Sequence, residues 1–157
     1  MIKIPMTVLG LKKLENDRNK LKSVDRPNVI KAISDARELG DLSENAEYHA
    51  AREQQAFIEG RIKELDDIIS RCEVIDPSKI INSNIIFGAT VELLNLDNDT
   101  KKTYQIVGEF EADLENSLIS YTSPLGKALI GKTAGDVVDI ETTQHTISWE
   151  ILSVIYK

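Results

Sequence analysis

The sequence predicts an α+β protein: a long N-terminal antiparallel helical hairpin followed by a small C-terminal antiparallel β-sheet domain with one short helix. Three observations carry this. Apolar residues in the first half recur at steps of three and four, the period of a helix face. The second half carries short runs rich in β-branched residues, bounded by turn formers. Between them, Asp76-Pro77-Ser78 and Asn82-Ser83-Asn84 mark a change of composition. The expected division is an arm over residues 1–75, a linker over 76–84 and a second domain over 85–157.

The outgoing arm opens at Thr7, a suitable N-cap with hydrophobic Met6 before it. Leu11, Leu14, Leu21, Val24, Ile30 and Ile33 form its apolar stripe. Pro27 breaks the pattern. It has no N–H and crowds the carbonyl four residues back, so the helix must kink or restart after Asp25. Gly40 ends this arm, because a residue without Cβ adopts the left-handed cap cheaply. Asp41 then stands where the N-cap of a return helix belongs. Along that helix Ile58, Ile62, Leu65, Ile69 and Cys72 repeat at alternating steps of four and three. Two such stripes make the seam of an antiparallel coiled coil. At ~1.5 Å per residue, an outgoing helix over 7–39 would be roughly 50 Å long.

In the second half, 85–87, 90–94, 102–107, 118–121, 137–140 and 146–155 read as strands. Asp97-Asn98-Asp99 and residues 131–135 read as turns between them. Ser123-Pro124 before Leu125 has the form of a helix start, serine as cap and proline in the first turn. Leu125, Leu129 and Trp149 read as core.

A chain of 157 residues, 41% hydrophobic and 29% charged, has the balance of a soluble globular protein. No apolar run reaches the ~20 residues needed to cross a bilayer. Met1-Ile2-Lys3-Ile4-Pro5 lacks the apolar stretch of a secretory signal. Cys72 is the single cysteine, which excludes an intrachain disulfide and a thiolate metal cluster. The expectation is a cytoplasmic protein with no membrane partner. A net charge of −7 argues against gripping nucleic-acid phosphates over a broad surface. The charge is uneven, −1 over residues 1–75 and −6 over 76–157. Residues 12–31 hold seven basic side chains against three acidic ones. That stripe reads either as a solvated helix face or as a contact for RNA or DNA.

The turn between the two arms carries Asp41, Glu44 and Glu47, with no lysine nearby. Asp41 and Glu44 are three apart, which puts them close together on one helical turn. The same spacing has a structural reading, a capping box in which both side chains satisfy open backbone N–H groups. Glu47 and Tyr48 serve equally well as turn-holding residues or site residues. His49 and His145 are far apart in sequence and read as structural.

Two separated stretches resemble the Gre transcript cleavage factors of bacterial RNA polymerase, the GreA type most closely. ARELGDLSENAEYHAAREQQ at 36–55 is similar to the family's hairpin tip, and SPLGKALIGK at 123–132 to the signature of its C-terminal domain. Val74-Ile75-Asp76 and Phe87-Gly88-Ala89-Thr90-Val91 fit the joint between them, so the likeness spans the chain. The resemblance implies an FKBP-like second domain, related to the FK506-binding-protein fold, that docks on RNA polymerase, and an arm that enters its secondary channel. It implies a factor that stimulates the polymerase's own cleavage of backtracked RNA near the 3′ end, not a free-standing enzyme. Asp41 and Glu44 would help hold a second Mg²⁺ jointly with polymerase and orient the attacking water. Arg37 and Arg52 would contact the extruded RNA, with ion pairs to Asp35, Glu38 or Glu53 as the competing reading. Ser123 and Pro124 would lie in the docking loop. Two rival functions are a peptidyl-prolyl isomerase or chaperone with a helical arm, and an inhibitory adaptor of the same channel.

Overall fold

The structure, a computed structural model, describes residues 2–157; Met1 lies outside them. Strand β1 (Ile4–Thr7) leads into helix α1 (Val8–Lys20), a five-residue π-helical segment (Leu21–Asp25) and helix α2 (Arg26–Arg37). A 3₁₀ turn (Leu42–Glu44) precedes helix α3 (Ala46–Ser70), which ends into strand β2 (Cys72–Ile75). Strands β3 (Thr90–Asn95), β4 (Lys101–Val107) and β5 (Leu118–Ser120), helix α4 (Pro124–Leu129) and strands β6 (Val137–Glu141) and β7 (Thr146–Ile155) follow. No described helix is long and apolar enough to cross a membrane.

By contact the chain divides into one unit built of Leu11–Cys72 and another of Lys3–Gly10 with Glu73–Lys157. In the first, α2 packs against α3 as a helical hairpin. Pro27 does restart the helix. It sits in the first turn of α2, after the backbone widens to i→i−5 bonding, with the Arg26 N–H donating to the Leu21 carbonyl. The wider turn makes room for the proline ring where an α-helix would clash.

The widening also corrects the expected seam. A π turn inserts one residue, so the stripe steps from Leu21 by eight to Val29 and then runs through Ile33 and Ala36, all three buried. Val24 and Ile30, expected inside, are 45% and 51% exposed. Opposite, Ile58, Ile62 and Leu65 are buried as expected, but Ile68 takes the position assigned to Ile69. Three of the seven basic side chains of residues 12–31 form ion pairs with α3. Arg18 and Lys22 both pair with Asp66, and Arg26 makes a two-pronged contact with Glu59.

The second unit is a five-stranded sheet of order β5-β4-β3-β7-β6. Three of its four pairings are antiparallel, in keeping with the expected sheet, and the edge pair β4 and β5 runs parallel. Ile85, Val91, Leu93, Ile106, Leu129 and Ile151 form its core, with Leu125 and Trp149 packed alongside. Residues 85–87 are not a strand. Ile85 exchanges backbone bonds with Gly131 and Lys132, and the Ile86 N–H donates to the Tyr156 hydroxyl, so this segment satisfies its polar groups outside a ladder.

Residues 3–10, assigned by sequence to the arm, cluster with this second unit. Strand β1 pairs with β2, and Met6 is fully buried. The buried Glu111 carboxyl accepts from the Thr7 and Gly108 N–H groups and from the Thr7 hydroxyl. That hydroxyl in turn accepts from the Gly10 N–H at 3.1 Å, so Thr7 is the N-cap of α1 as its sequence position suggests.

Candidate functional site

The acidic turn is built by local hydrogen bonds. Gly40 has φ 128°, a region that side chains with Cβ rarely enter, and it reverses the chain after α2. Asp41 Oδ1 then accepts from both the N–H and the hydroxyl of Ser43, each at 2.9 Å. These bonds, the backbone one first, hold the Asp41 carboxyl below the ordinary aspartate range. Asp41 therefore caps only the short 3₁₀ turn, which corrects its expected role as cap of the long return helix.

Asn45 takes that role. Its Oδ1 accepts from the Tyr48 N–H at 3.0 Å, and its amide donates to the Ala36 carbonyl at 2.5 Å, tying the start of α3 to the end of α2. The capping box is absent, because Glu44 makes no hydrogen bond or ion pair among the described residues. Asp41, with extended backbone, and Glu44 stand at the two ends of this 3₁₀ turn, three residues apart. Asp41, Glu44 and Glu47 are all exposed.

Behind this turn Tyr48 is buried with Ile33, Ala36 and Ala51. Its role in holding the turn is thereby plain. Arg37 from α2 and Arg52 from α3 converge on its ring, 5.9 and 5.8 Å from the centroid. Arg52 also donates to the Tyr48 hydroxyl at 2.9 Å. That bond, and after it the approach of the Arg37 guanidinium, holds the phenol below the ordinary tyrosine range. Neither arginine forms an ion pair with Asp35, Glu38 or Glu53 among the described residues. His49 lies edge-on to Tyr48.

Among the described residues no group of three His, Cys, Asp or Glu could hold a metal. The tip does present oxygen ligands of the kind Mg²⁺ prefers: Asp41 Oδ2 and both Glu44 oxygens carry no hydrogen bond among the described residues. Two carboxyls are too few for an octahedral shell. These donors could supply part of such a shell.

In the second unit the Ser123 hydroxyl donates to the Ser120 carbonyl at 2.6 Å and accepts from the Gly126 N–H at 3.1 Å, so it is used within the fold as the cap of α4. Pro124 beside it is exposed. Both border an apolar cleft of about 380 Å³ with Tyr104, Leu114, Ile119 and Leu125. The buried Glu111 escaped the sequence reading. Its position in the turn Glu109-Phe110-Glu111 after β4 gave no sign that its partner lay at Thr7.

Comparison with known proteins covers both units. Residues 4–74 match the family described as "Transcription elongation factor, N-terminal", and residues 80–156 match "Transcription elongation factor, GreA/GreB, C-term". A protein of Paracoccus denitrificans named transcription elongation factor GreA is 57% identical over 156 residues, covering 99% of each chain. One of the same name from Rhodospirillum rubrum is 58% identical, covering 98% of each. Among solved structures, GreA factor homolog 1 of Thermus thermophilus aligns over 97% of this chain and 98% of its own, at 25% identity and a TM-score of 0.44. The isomerase and adaptor alternatives are not favoured by these matches. With both halves matched in order and the acidic turn intact, the chain belongs to the GreA/GreB family of transcription elongation factors, as a bacterial GreA-type member.

Proposed function

We propose that this elongation factor acts by delivering Asp41 and Glu44 into the active site of RNA polymerase, where they stimulate the polymerase's own hydrolysis of backtracked RNA. The observation that carries this reading is the turn itself: two exposed carboxyls bracketing a short 3₁₀ turn, with no cation paired to either among the described residues. Acid left unpaired at the end of a hairpin is suited to neutralisation by something outside the chain. Ser43 fixes the Asp41 carboxyl and favours its ionised form. Asn45 fixes the turn on the two helices.

Asp41 Oδ2 and the Glu44 carboxyl would complete the shell of an Mg²⁺ that polymerase holds weakly by itself. Such an ion supplies a coordinated water as nucleophile and stabilises charge on the phosphate. Glu44, unengaged inside the fold, is free to accept a hydrogen bond from that water. The chain is thus a cofactor lending ligands, not an enzyme alone, and it works in the cytoplasm. Arg37 and Arg52 contact phosphates of the extruded RNA. The second domain docks on polymerase through the surface at Pro124, with Ser123 shaping the loop.

The test uses a halted, backtracked polymerase complex carrying labelled RNA. Addition of the protein should release short 3′ fragments and leave an extendable 3′ end. Complexes halted at several positions that release nothing would exclude this function.

A further inference from the structure

The proposed function assigns the two arginines to RNA but leaves open what holds them. Arg37 ends α2 and Arg52 lies in the second turn of α3, so they come from opposite arms of the hairpin. Two exposed guanidiniums drawn together repel each other, and no carboxylate partner offsets this among the described residues. The offset comes from Tyr48. Its ring faces attract both cations, and its hydroxyl accepts from Arg52. The ring cannot swing away, because it is packed against Ile33, Ala36 and Ala51 and its own N–H is bonded to Asn45.

We propose that Tyr48 is a positioning residue that gathers Arg37 and Arg52 into one two-cation clamp for the phosphodiester backbone of single-stranded RNA. This deepens the reading above and rests on it for the source of the RNA. A phosphodiester carries one negative charge, and guanidiniums match its oxygens with paired N–H donors. A second cation beside the first lets the clamp span adjacent phosphates. With the carboxyls of Asp41 and Glu44 nearby in sequence, the arrangement separates tasks: cations hold the strand and acids serve the cleavage step. Tyr48 itself donates no charge. Its contribution is to make two mobile side chains available at one place before RNA arrives, which lowers the ordering cost of binding.

The test has two arms, both on the full chain. In the first, hexauridylate is titrated into protein with labelled arginine side chains, and the guanidinium signals are followed by NMR. Arg37 and Arg52 should shift together, and Tyr48→Phe should weaken binding about 3- to 10-fold, the effect of losing the net contribution of one ordinary hydrogen bond. Tyr48→Phe keeps the ring and its packing, so the thermal midpoint should stay near that of wild type. Tyr48→Leu, which removes the ring as well, should weaken binding further. Arg52→Lys should not restore the clamp, since lysine lacks the planar fork.

In the second arm, RNA release from backtracked polymerase is measured for Tyr48→Phe, Arg52→Ala and the double variant. Tyr48→Phe should lower the rate at saturating protein while leaving the half-saturating concentration unchanged, and its effect should largely vanish in the Arg52→Ala background. Additive effects, or equal hexauridylate affinity in wild type and Tyr48→Phe, would overturn the clamp. A wild-type protein that binds hexauridylate at both arginines but releases no RNA from polymerase would refute the polymerase reading and leave the clamp standing.

Discussion

At Asp41 and Glu44, stability and proposed chemistry are separable. Asparagine keeps an oxygen to accept from Ser43, so Asp41→Asn should leave the turn folded. Glu44 bonds to nothing among the described residues, so Glu44→Gln should be neutral for folding. Both should cut the stimulation of RNA cleavage at low Mg²⁺ by about tenfold or more, partly restored at high Mg²⁺ because a weakened site refills by mass action. Full stimulation by both variants at low Mg²⁺ would remove the carboxyls from the chemistry. Asn45 behaves oppositely. Asn45→Ala loses the cap of α3 and the tie to Ala36, and should cost about 1–2 kcal/mol in a denaturation titration.

Asp41 is also one of three carboxyls that contribute to the acid limb of stability. Asp41, Glu59 and Asp76 all have folded pKa values held below the ordinary carboxylate range, by Ser43, Arg26 and Ser78 respectively. The unfolded chain therefore binds more protons in this window, and stability rises with pH through it. Their contribution should be complete above about pH 5 and lost as pH falls through the depressed values, below about pH 4. A denaturation midpoint that still climbed between pH 6 and pH 8 would show that other groups dominate.

At the scale of elements, the start of α1 depends on a contact remote in sequence. A Cβ at Gly10 would overlap the Glu111 carboxyl. Alanine normally gains about 1 kcal/mol over glycine inside a helix. Here it must displace a buried carboxyl whose hydrogen bonds contribute about 1.5–3 kcal/mol each when charged. The second effect is larger, so Gly10→Ala should destabilise the protein. Glu111→Ala should do so more than Glu111→Gln, which keeps an acceptor for the Thr7 and Gly108 N–H groups. Greater stability of Gly10→Ala in denaturant would contradict the packing.

Periodicity made the two helical arms legible, and β-branched composition between turn formers did the same for five of the six expected strands. What it missed depended on partners distant in the chain. The 85–87 segment has strand composition, but Ile85 is held by residues of another loop. The parallel β4–β5 pairing follows from the path taken by residues 108–117, which no strand pattern encodes. At the tip, the acids and arginines were visible as residue types. Their arrangement was not, since Asn45 and Asp41 are interchangeable as caps on spacing alone.

For the whole molecule, the relevant cut is the one the contacts draw. Fragment 76–157 lacks β1 and Thr7, so it deprives the Glu111 carboxyl of two of its donors. It should be less stable than a fragment that also carries residues 3–10 through a flexible tether, as compared by thermal unfolding. The tethered fragment should compete with the intact protein for polymerase without releasing RNA. A fragment of 11–72 should stimulate weakly and only at high concentration, because it has the carboxyls without the docking domain. Activity residing in the second unit alone would reverse this assignment.

The π segment carries a consequence for how the gene tolerates change. One residue among 21–25 is surplus to the helical repeat: with it removed, Leu21 would stand seven positions before the residue now numbered 29, the ordinary heptad spacing. Loss of any other single codon within the helices would rotate all that follows by about 100° and turn the seam outward. Loss of the codon for Ser23 should instead preserve it, provided Pro27 is changed to alanine in the same gene, since the proline needs the widened turn. The arm holds one spare letter, and the proline keeps it from being erased alone.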